Sequence, residues 1–501
     1  MSSQLSAAAR VTTESATASI LQKAASGQIR SFASAGPGAA NRLQVVGLRR
    51  ENKNRWERRV PLLPQHVARL IAETGTKVLV QPSTKRVVPD EAYLKAGATI
   101  TEDLSQADII LGIKEVPIDK LIPNKTFMVF SHTHKGQDYN MPTLKAITDN
   151  NIRLLDYELL VDPNSKKRLV MFGKYAGYAG MIDCLHGLGQ RLLGLGYNSP
   201  FIHVGMAHTY SSLQAAKDSI AAVGAIIREH GLPTDFAPFV FVFTGSGNVS
   251  QGAQEVFRSL PHQYVTPDEL PALINTPPDK RPADFNRKVY AVEVNAPDYI
   301  IHNEAASPYD RSEYRSHPER YRSVFFEKIA PYATTIINGL FWSTEFPRLM
   351  TNDQLRQFQS DPANRHRLLS LMDISCDIGG SFEFMTYAST IGDPFFYVDA
   401  SAPGSPRQHK DIEQPGIQVN SVDNLPTELP YEASLTFADA LYPFVKAMAL
   451  GNFSDPIIAN ARITEFGQGL LEPHKHLQRK IDRALRTDST AESRQRALVI
   501  G

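Results

Sequence analysis

Cysteine is nearly absent. Two residues in 501, Cys184 and Cys376, are too few and too far apart for a disulfide framework or a cysteine zinc site, and they read as small core hydrophobes. Long apolar runs are missing too. None approaches the ~20 residues that span a bilayer, so no membrane partner is expected. Neither sign of charge is in excess. With 53 Lys and Arg against 52 Asp and Glu, the net charge of +1 gives no field that would gather nucleic acid or a membrane surface. There is no internal repeat. What is present is ordinary for a globular protein, 42% apolar and 21% charged, in a chain long enough for two or three domains.

Acidic residues are scarce in one stretch. Met1 to Asn41 is rich in Ser and Ala and carries Arg10, Lys23 and Arg30 against a single acid, Glu14. That is the composition of a mitochondrial transit peptide. On a helix, Leu5, Ile20 and Leu21 would lie apart from the basic residues, and Arg30-Ser31-Phe32-Ala33-Ser34 resembles a matrix-processing site. A disordered leader is the plainer alternative. No secretory apolar core is present, so the expected location is the mitochondrial matrix.

The most informative segment is Phe239 to Phe257, FVFVFTGSGNVSQGAQEVF. Its β-branched and aromatic run reads as a buried strand, which stops at Gly245-Ser246-Gly247. A helical pattern resumes through Gly252, Val256 and Phe257. Strand, glycine turn and helix set backbone N–H groups against a pyrophosphate. Gly245 would allow the turn, Gly247 the approach of phosphates, and Gly252 close packing of helix on strand. The spacing is two residues longer than the usual G-x-G-x-x-G. An ordinary glycine turn is the alternative; the strand context favours a nicotinamide dinucleotide.

Elsewhere, strands alternate with helical stretches. Val45 to Leu48, Lys77 to Gln81, Asp108 to Lys114, Thr126 to Phe130 and Ile152 to Tyr157 read as strands, and Val67 to Ala72 as a helix face. This alternation predicts a parallel α/β domain. Phe172 to Leu195 reads as a long linking helix. Pro261 to Pro331, rich in Pro, Asp, Arg and Tyr, reads as an insertion or surface excursion. Thr335 to Leu340 and Leu371 to Ile374 return as strands, and Glu432 to Leu450 as a helix.

Unusual polar residues stand at the carboxyl ends of these strands, where such sheets place function. Lys114 ends an apolar strand beside Glu115, and desolvation there would make it an acid/base candidate. His132 and His134 follow the next strand; a histidine there can move protons near neutral pH. The His-x-His spacing also suits a metal, but no acidic or cysteine partner stands close in sequence, so no metal is expected. Glu158 would hold a substrate ammonium or cap a helix. Arg49 to Pro64 carries five arginines, either a carboxylate clamp or a solvated loop. After the glycine turn, Thr266 follows the strand from His262 to Val265, at the place where an acid would bind a ribose hydroxyl. A small neutral residue there leaves room for the 2′-phosphate of NADP(H).

Several segments together carry a resemblance. Leu48-Arg49-Arg50-Glu51, Glu57-Arg58-Arg59, Leu111-Gly112-Ile113-Lys114-Glu115, Phe130 to Lys135 (FSHTHK) and Val422-Asp423-Asn424-Leu425-Pro426 occur in order. They look like the alanine dehydrogenase/transhydrogenase-like superfamily. Phe201 to His208, Thr244 to Ser250, His317 to Tyr321, Ile329 to Tyr332 and Gly379 to Thr386 are similar to the lysine–ketoglutarate reductase portion of α-aminoadipic semialdehyde synthases.

The resemblance implies two Rossmann-like domains with parallel sheets and an interdomain active-site cleft. It implies a leader over 1–42, a substrate domain over 43–172 with 435–485, a dinucleotide domain over 173–434 with an insertion at 266–332, and a polar tail over 486–501. The implied reaction condenses L-lysine with 2-oxoglutarate and reduces the imine with NADPH to saccharopine. Lys114 and His132 match an acid/base pair, and Arg59 an oxoacid-binding arginine. Gln137, Glu158, Lys167 and Phe172 match the substrate site, with Lys167-Arg168 standing where fungal relatives have a substrate arginine. Gly245, Ser246, Gly247, Asn248, Val249 and Thr266 would hold the dinucleotide, and Val422, Asp423, Asn424 and Leu425 its nicotinamide end. No saccharopine-oxidising half is read in the sequence, so a separate glutamate-forming saccharopine dehydrogenase is an expected partner. The alternatives are an NAD-dependent, lysine-forming saccharopine dehydrogenase and a non-catalytic NADP-binding module. An alanine dehydrogenase fits less well.

Overall fold

The computed structural model describes residues 42–364, 366–401, 406–484 and Arg486. The leader and the polar tail lie outside the described residues, apart from Arg42 and Arg486. From Leu43 the chain forms one compact unit containing two large sheets.

The first sheet has six parallel strands: β1 (Val46–Leu48), β2 (Val78–Val80), β3 (Thr99–Ile100), β4 (Ile109–Leu111), β5 (Thr126–Val129) and β6 (Arg153–Asp156), in the order β3-β2-β1-β4-β5-β6. The triplets VGL, VLV and IIL are wholly buried, as a parallel sheet covered on both faces requires. The helices Pro64–Thr74 and Pro430–Ala449 cover one face, through Val67, Leu70, Phe437, Leu441 and Val445. The helix Met141–Asp149 covers the other, with Ile463, Leu477 and Ile481 from the end of the chain. Strand order reverses between β1 and β4. Ligands bind at such a switch point, and the loops after β1, β4 and β5 carry Arg49 to Arg59, Lys114 and His132.

The second sheet contains β7 (Val240–Thr244), β8 (His262–Tyr264), β9 (Val289–Val294), β12 (Thr335–Asn338), β13 (Ser370–Asp373), β14 (Phe395–Asp399), β15 (Arg407–His409) and β16 (Ile417–Asn420). Its order is β15-β14-β16-β13-β12-β7-β9-β8, parallel from β8 to β16, with β14 antiparallel to both its neighbours. A separate hairpin joins β10 (Ile300–His302) to β11 (Tyr321–Ser323). The expected insertion is corrected here. Val289 to Val294 lies inside the segment 266–332, yet it pairs with β7 along its length and is a core strand. Its short apolar run was hidden by the Pro- and Asp-rich flanks.

The helix Gly173–Gly194 is buried on nearly all sides. It meets the helix Asn248–Phe257 with no room for side chains. A Cβ on Gly177 would stand 2.0 Å from the Val249 carbonyl oxygen, and one on Gly252 would stand 2.2 Å from that of Lys174. Gly252 therefore brings two helices together, not helix and strand as its position in the glycine motif suggested. Among the described residues, no helix is long and apolar enough to cross a membrane.

Candidate active site

Lys114 and His132 leave neighbouring strands of the first sheet, β4 and β5. Buried carboxylates hold both loops. Glu51 accepts from the backbone N–H groups of Ile113 and Lys114 at 2.7 and 3.1 Å, fixing the Lys114 loop. Asp156, fully buried at the end of β6, accepts from the N–H groups of Ser131 and His132 and from the Ser131 hydroxyl, at 2.9, 3.0 and 2.6 Å. His132 itself has φ of +55°, a left-handed conformation unusual for a residue with a side chain. That backbone persists because the surrounding bonds over-determine it, a common mark of functional sites.

The His132 ring is held from one side. Nδ1 lies 3.0 Å from Glu115 Oε1, which leaves Nε2 for chemistry. Glu115 also contacts Lys53. Burial first, then the charge of Lys135, lowers the imidazole to about 4, although the nearby Glu158 and Asp156 oppose this. His132 is thus neutral at pH 7 and able to accept a proton. Lys114 Nζ stands 3.8 Å from Asp423 Oδ2, so the loop after β16 meets the loop after β4.

Arg59 is less free than a clamp would be. Its Nε and Nη2 donate to the two Glu57 oxygens at 2.8 and 2.6 Å, and Nη2 also donates to Asn424 Oδ1 at 2.8 Å. Its guanidinium lies over the Phe172 ring at 4.2 Å, and Phe172 stacks on Phe437 at 4.3 Å. Burial pushes the Glu57 carboxyl up, but Arg59 outweighs it and holds it down at about 2. The Arg59 side-chain bonds use only Nε and Nη2. Val422 and Leu425 are buried behind this contact, while Asp423 is exposed.

Glu158 sits in a ring of charge. Lys135 Nζ lies 3.1 Å from its Oε2, Arg168 Nη1 2.9 Å from Oε1, and His134 Nε2 3.3 Å from Oε2. The sequence reading missed this company. His134 does have acidic neighbours, Asp156 and Glu158, brought over by β6. Two cations already face Glu158, which disfavours a further metal ion. Lys167 needs correction as well. Both Lys167 and Arg168 are exposed, and Arg168 is the residue that reaches Glu158. Gln137 is exposed at the start of a short turn.

The glycine turn fits a dinucleotide. Gly245 has φ of +76°, and a Cβ built on Gly247 finds nothing within 4 Å. Ser246, Gly247 and Asn248 are exposed, and Val249 is partly buried. Gly245 to Gly247 line a cavity of 760 Å³. Thr266 does not belong to it. The strand beside β7 is β9, so β8 and the Thr266 that follows lie one strand further out. Thr266 is exposed and spends its N–H and hydroxyl on Glu269, at 2.7 and 2.9 Å. Asn295, which follows β9, does line that cavity.

Sequence reading also passed over a buried pair behind the 422–425 loop. Asp183, on the long helix, accepts from the Ala207 N–H, and Glu428 accepts from the N–H and Nδ1 of His208. Burial and its neighbour Glu428 push Asp183 up, and burial pushes Glu428 up to about 7. Nothing in local sequence signals this, because the two acids meet only in the fold.

Comparison with known proteins agrees with this geometry. Residues 47–179 match the family of the alanine dehydrogenase/PNT N-terminal domain. The mitochondrial α-aminoadipic semialdehyde synthase of Mus musculus is 41% identical over 454 residues, 87% of this chain and 48% of that protein. The Arabidopsis thaliana synthase is 43% identical over 414 residues, 81% of this chain and 38% of that protein. The chain thus spans about half the length, or less, of these curated relatives. The NAD⁺, L-lysine-forming saccharopine dehydrogenase of Neurospora crassa is 26% identical over 413 residues, covering 80% of this chain and 90% of that enzyme. An L-alanine dehydrogenase structure superposes with a TM-score of 0.56 at 16% identity, over 88% of this chain and 99% of the other, which bears on fold alone. Residues 47–179 thus resemble the alanine dehydrogenase/PNT N-terminal domain, and most of the chain is similar to about half, or less, of the α-aminoadipic semialdehyde synthases.

Proposed function

We propose that the protein is a mitochondrial NADPH-dependent oxidoreductase that condenses L-lysine with 2-oxoglutarate and reduces the imine to saccharopine. The observation that carries this reading is that Lys114 and His132 leave neighbouring strand ends, with Lys114 Nζ 3.8 Å from the exposed Asp423 carboxylate and His132 kept neutral.

The chemistry calls for such a set. A free lysine amine has a pKa of ~10.4, so at pH 7 its neutral form lies roughly 4.6 kcal/mol uphill. Desolvation of the ammonium in the cleft offsets that cost in this scheme, and neutral His132 relays the proton onward. Forming and dehydrating the carbinolamine then needs a proton given and taken at one centre, which suits two residues. Lys114 is the donor in this scheme. 2-Oxoglutarate brings two carboxylates, and Arg59 and Arg168 are the arginines this reading assigns to them. Glu158 would face the amino-acid ammonium once Lys135 or Arg168 turns to a substrate carboxylate. Gly245, Gly247 and the N-terminus of the Asn248–Phe257 helix would hold the dinucleotide pyrophosphate, and Val422 to Leu425 its nicotinamide end. The bound dinucleotide supplies the hydride; the protein supplies orientation.

A second reading is supported by the Neurospora crassa enzyme, which this chain matches over 90% of its length. It is an NAD-dependent, lysine-forming activity. One assay separates the two: oxidation of NADPH and of NADH with lysine plus 2-oxoglutarate, each substrate omitted in turn. Higher catalytic efficiency with NADH overturns the NADPH reading, and no substrate-dependent oxidation of either overturns both. The mouse relative is mitochondrial, and the Met1 to Asn41 leader supports the matrix for this chain. Full-length protein imaged outside mitochondria would overturn that.

A further inference from the structure

The cavity that begins at Gly245 and Gly247 extends past the carboxyl end of β9 to the short helix Arg311–Ser316. Its volume of 760 Å³ lies within the roughly 300–1,000 Å³ of small-molecule sites. Asn295, Arg311, Tyr314 and Arg315 line the far end. Arg311 and Arg315 stand four residues apart, on one face of that helix. They are exposed, and neither carries a hydrogen bond or ion pair among the described residues.

The other charges on this helix are already used. Glu313 accepts from Arg320 at 2.8 Å and from the Tyr321 hydroxyl at 3.0 Å. Asp310 caps the helix by accepting from the Glu313 N–H at 2.7 Å. On the β9 side, Glu293 accepts from Gln254 and Asn295 at 2.7 and 3.2 Å and does not line the cavity. Asp298 accepts from the Asn295 N–H at 2.6 Å. The residue after β9 is therefore neutral, its neighbouring acids are occupied, and two guanidinium groups with no partner among the described residues line the same cavity.

We propose that Arg311 and Arg315 hold the 2′-phosphate of an NADP-type dinucleotide and set the preference for it over NAD. Guanidinium groups suit phosphate because their planar forks bond its oxygens two at a time. An NAD site would instead place a free carboxylate after β9 to accept from the ribose hydroxyls. The residues come from the segment first read as an insertion, so the selecting contacts sit on a helix rather than on the strand end. This rests on the reading of the glycine turn as a dinucleotide site.

Titration calorimetry on the full chain tests it with two probes, adenosine 2′,5′-bisphosphate and AMP. Wild type should bind the bisphosphate more tightly. Arg311→Ala with Arg315→Ala should weaken the bisphosphate about ten- to a hundred-fold and leave AMP unchanged. AMP also serves as the check on folding. Equal weakening of both probes, or an unchanged bisphosphate affinity, overturns the assignment while leaving the dinucleotide site in place. Failure of either probe to bind wild type overturns the site itself and the assignment with it. Because no lysine or 2-oxoglutarate is present, the outcome is independent of the reaction proposed above.

Discussion

Arg59 donates to Asn424 across 2.8 Å, although 365 residues separate them. The bond joins the loop after β1 to the loop after β16, and so ties one sheet to the other at the cleft. Around it, the Arg58 N–H donates to the Thr427 hydroxyl at 2.9 Å and the Val60 N–H to that of Ser434 at 3.0 Å. Arg59 is thus a structural link as well as a candidate substrate ligand.

Arg59→Ala should accordingly do two things. It should raise the KM for 2-oxoglutarate, and it should strand Glu57, a buried carboxylate, without its counter-charge. Breaking a buried pair costs ~3–5 kcal/mol, so the melting temperature should fall. Arg59→Lys should recover most of the stability and little of the KM, because an ammonium lacks the fork. A variant with a raised KM and unchanged melting would show that Arg59 serves the ligand alone.

Lys114→Met and His132→Gln should each lower turnover by ~10²–10⁴-fold, the usual worth of a general acid or base. Binding of NADPH, followed by its fluorescence, should be nearly unchanged, since the glycine turn lies elsewhere. The double variant should lose less than the product of the single losses. Unchanged turnover in Lys114→Met would assign that lysine to the Asp423 contact only.

The pH profile should carry two opposite slopes. His132 is held down at about 4 against its ordinary 6.5, so the folded chain refuses a proton that the unfolded chain binds between these values. Its contribution to stability is present above 6.5 and lost as pH falls through the window. Glu428 is pushed up to about 7 from 4.5, so the folded chain keeps a proton that the unfolded chain gives up. Its contribution is full below 4.5 and lost as pH rises toward 7. Glu428→Gln should flatten the decline in melting temperature between those pH values. Identical slopes in both proteins would mean that Glu428 holds no extra proton.

Two glycines should separate fold from function. Gly177→Ala places a methyl group 2.0 Å from a backbone oxygen, so it should destabilise by at least ~1–3 kcal/mol through forced displacement of a helix. Gly247→Ala meets no protein atom within 4 Å and has φ of −75°, so its melting should match wild type. Its dinucleotide affinity should nevertheless drop, because the methyl group occupies the space left for phosphate. If Gly247→Ala binds nucleotide normally, the turn is only a turn.

Much of this was legible in the chain, for identifiable reasons. Buried parallel strands such as Ile109–Leu111 and Val240–Thr244 are apolar without interruption, and polar residues just past them stand out. Lys114, His132 and Glu158 were visible for that reason. Thr266 and Lys167 misled for another. Each was chosen by counting along the chain, and sequence distance does not record that β9 lies between β8 and β7, or that Arg168 is the residue of the pair that reaches Glu158. Partners contributed by distant segments, such as Asp156 for Ser131 and Asn424 for Arg59, leave no local trace.

The position of β9 also bears on how the second sheet is built. β8 has β9 as its ladder partner, and β9 reaches β7 only after the chain has closed a loop over 245–288. Closing such a loop costs entropy before any contact returns it. The edge nearest in sequence to the glycine turn therefore zips on last, after a strand from further along has arrived. Amide hydrogen exchange offers a direct reading: His262–Tyr264 should never be better protected than Val289–Val294, and whatever unlatches β9 should release β8 in the same event.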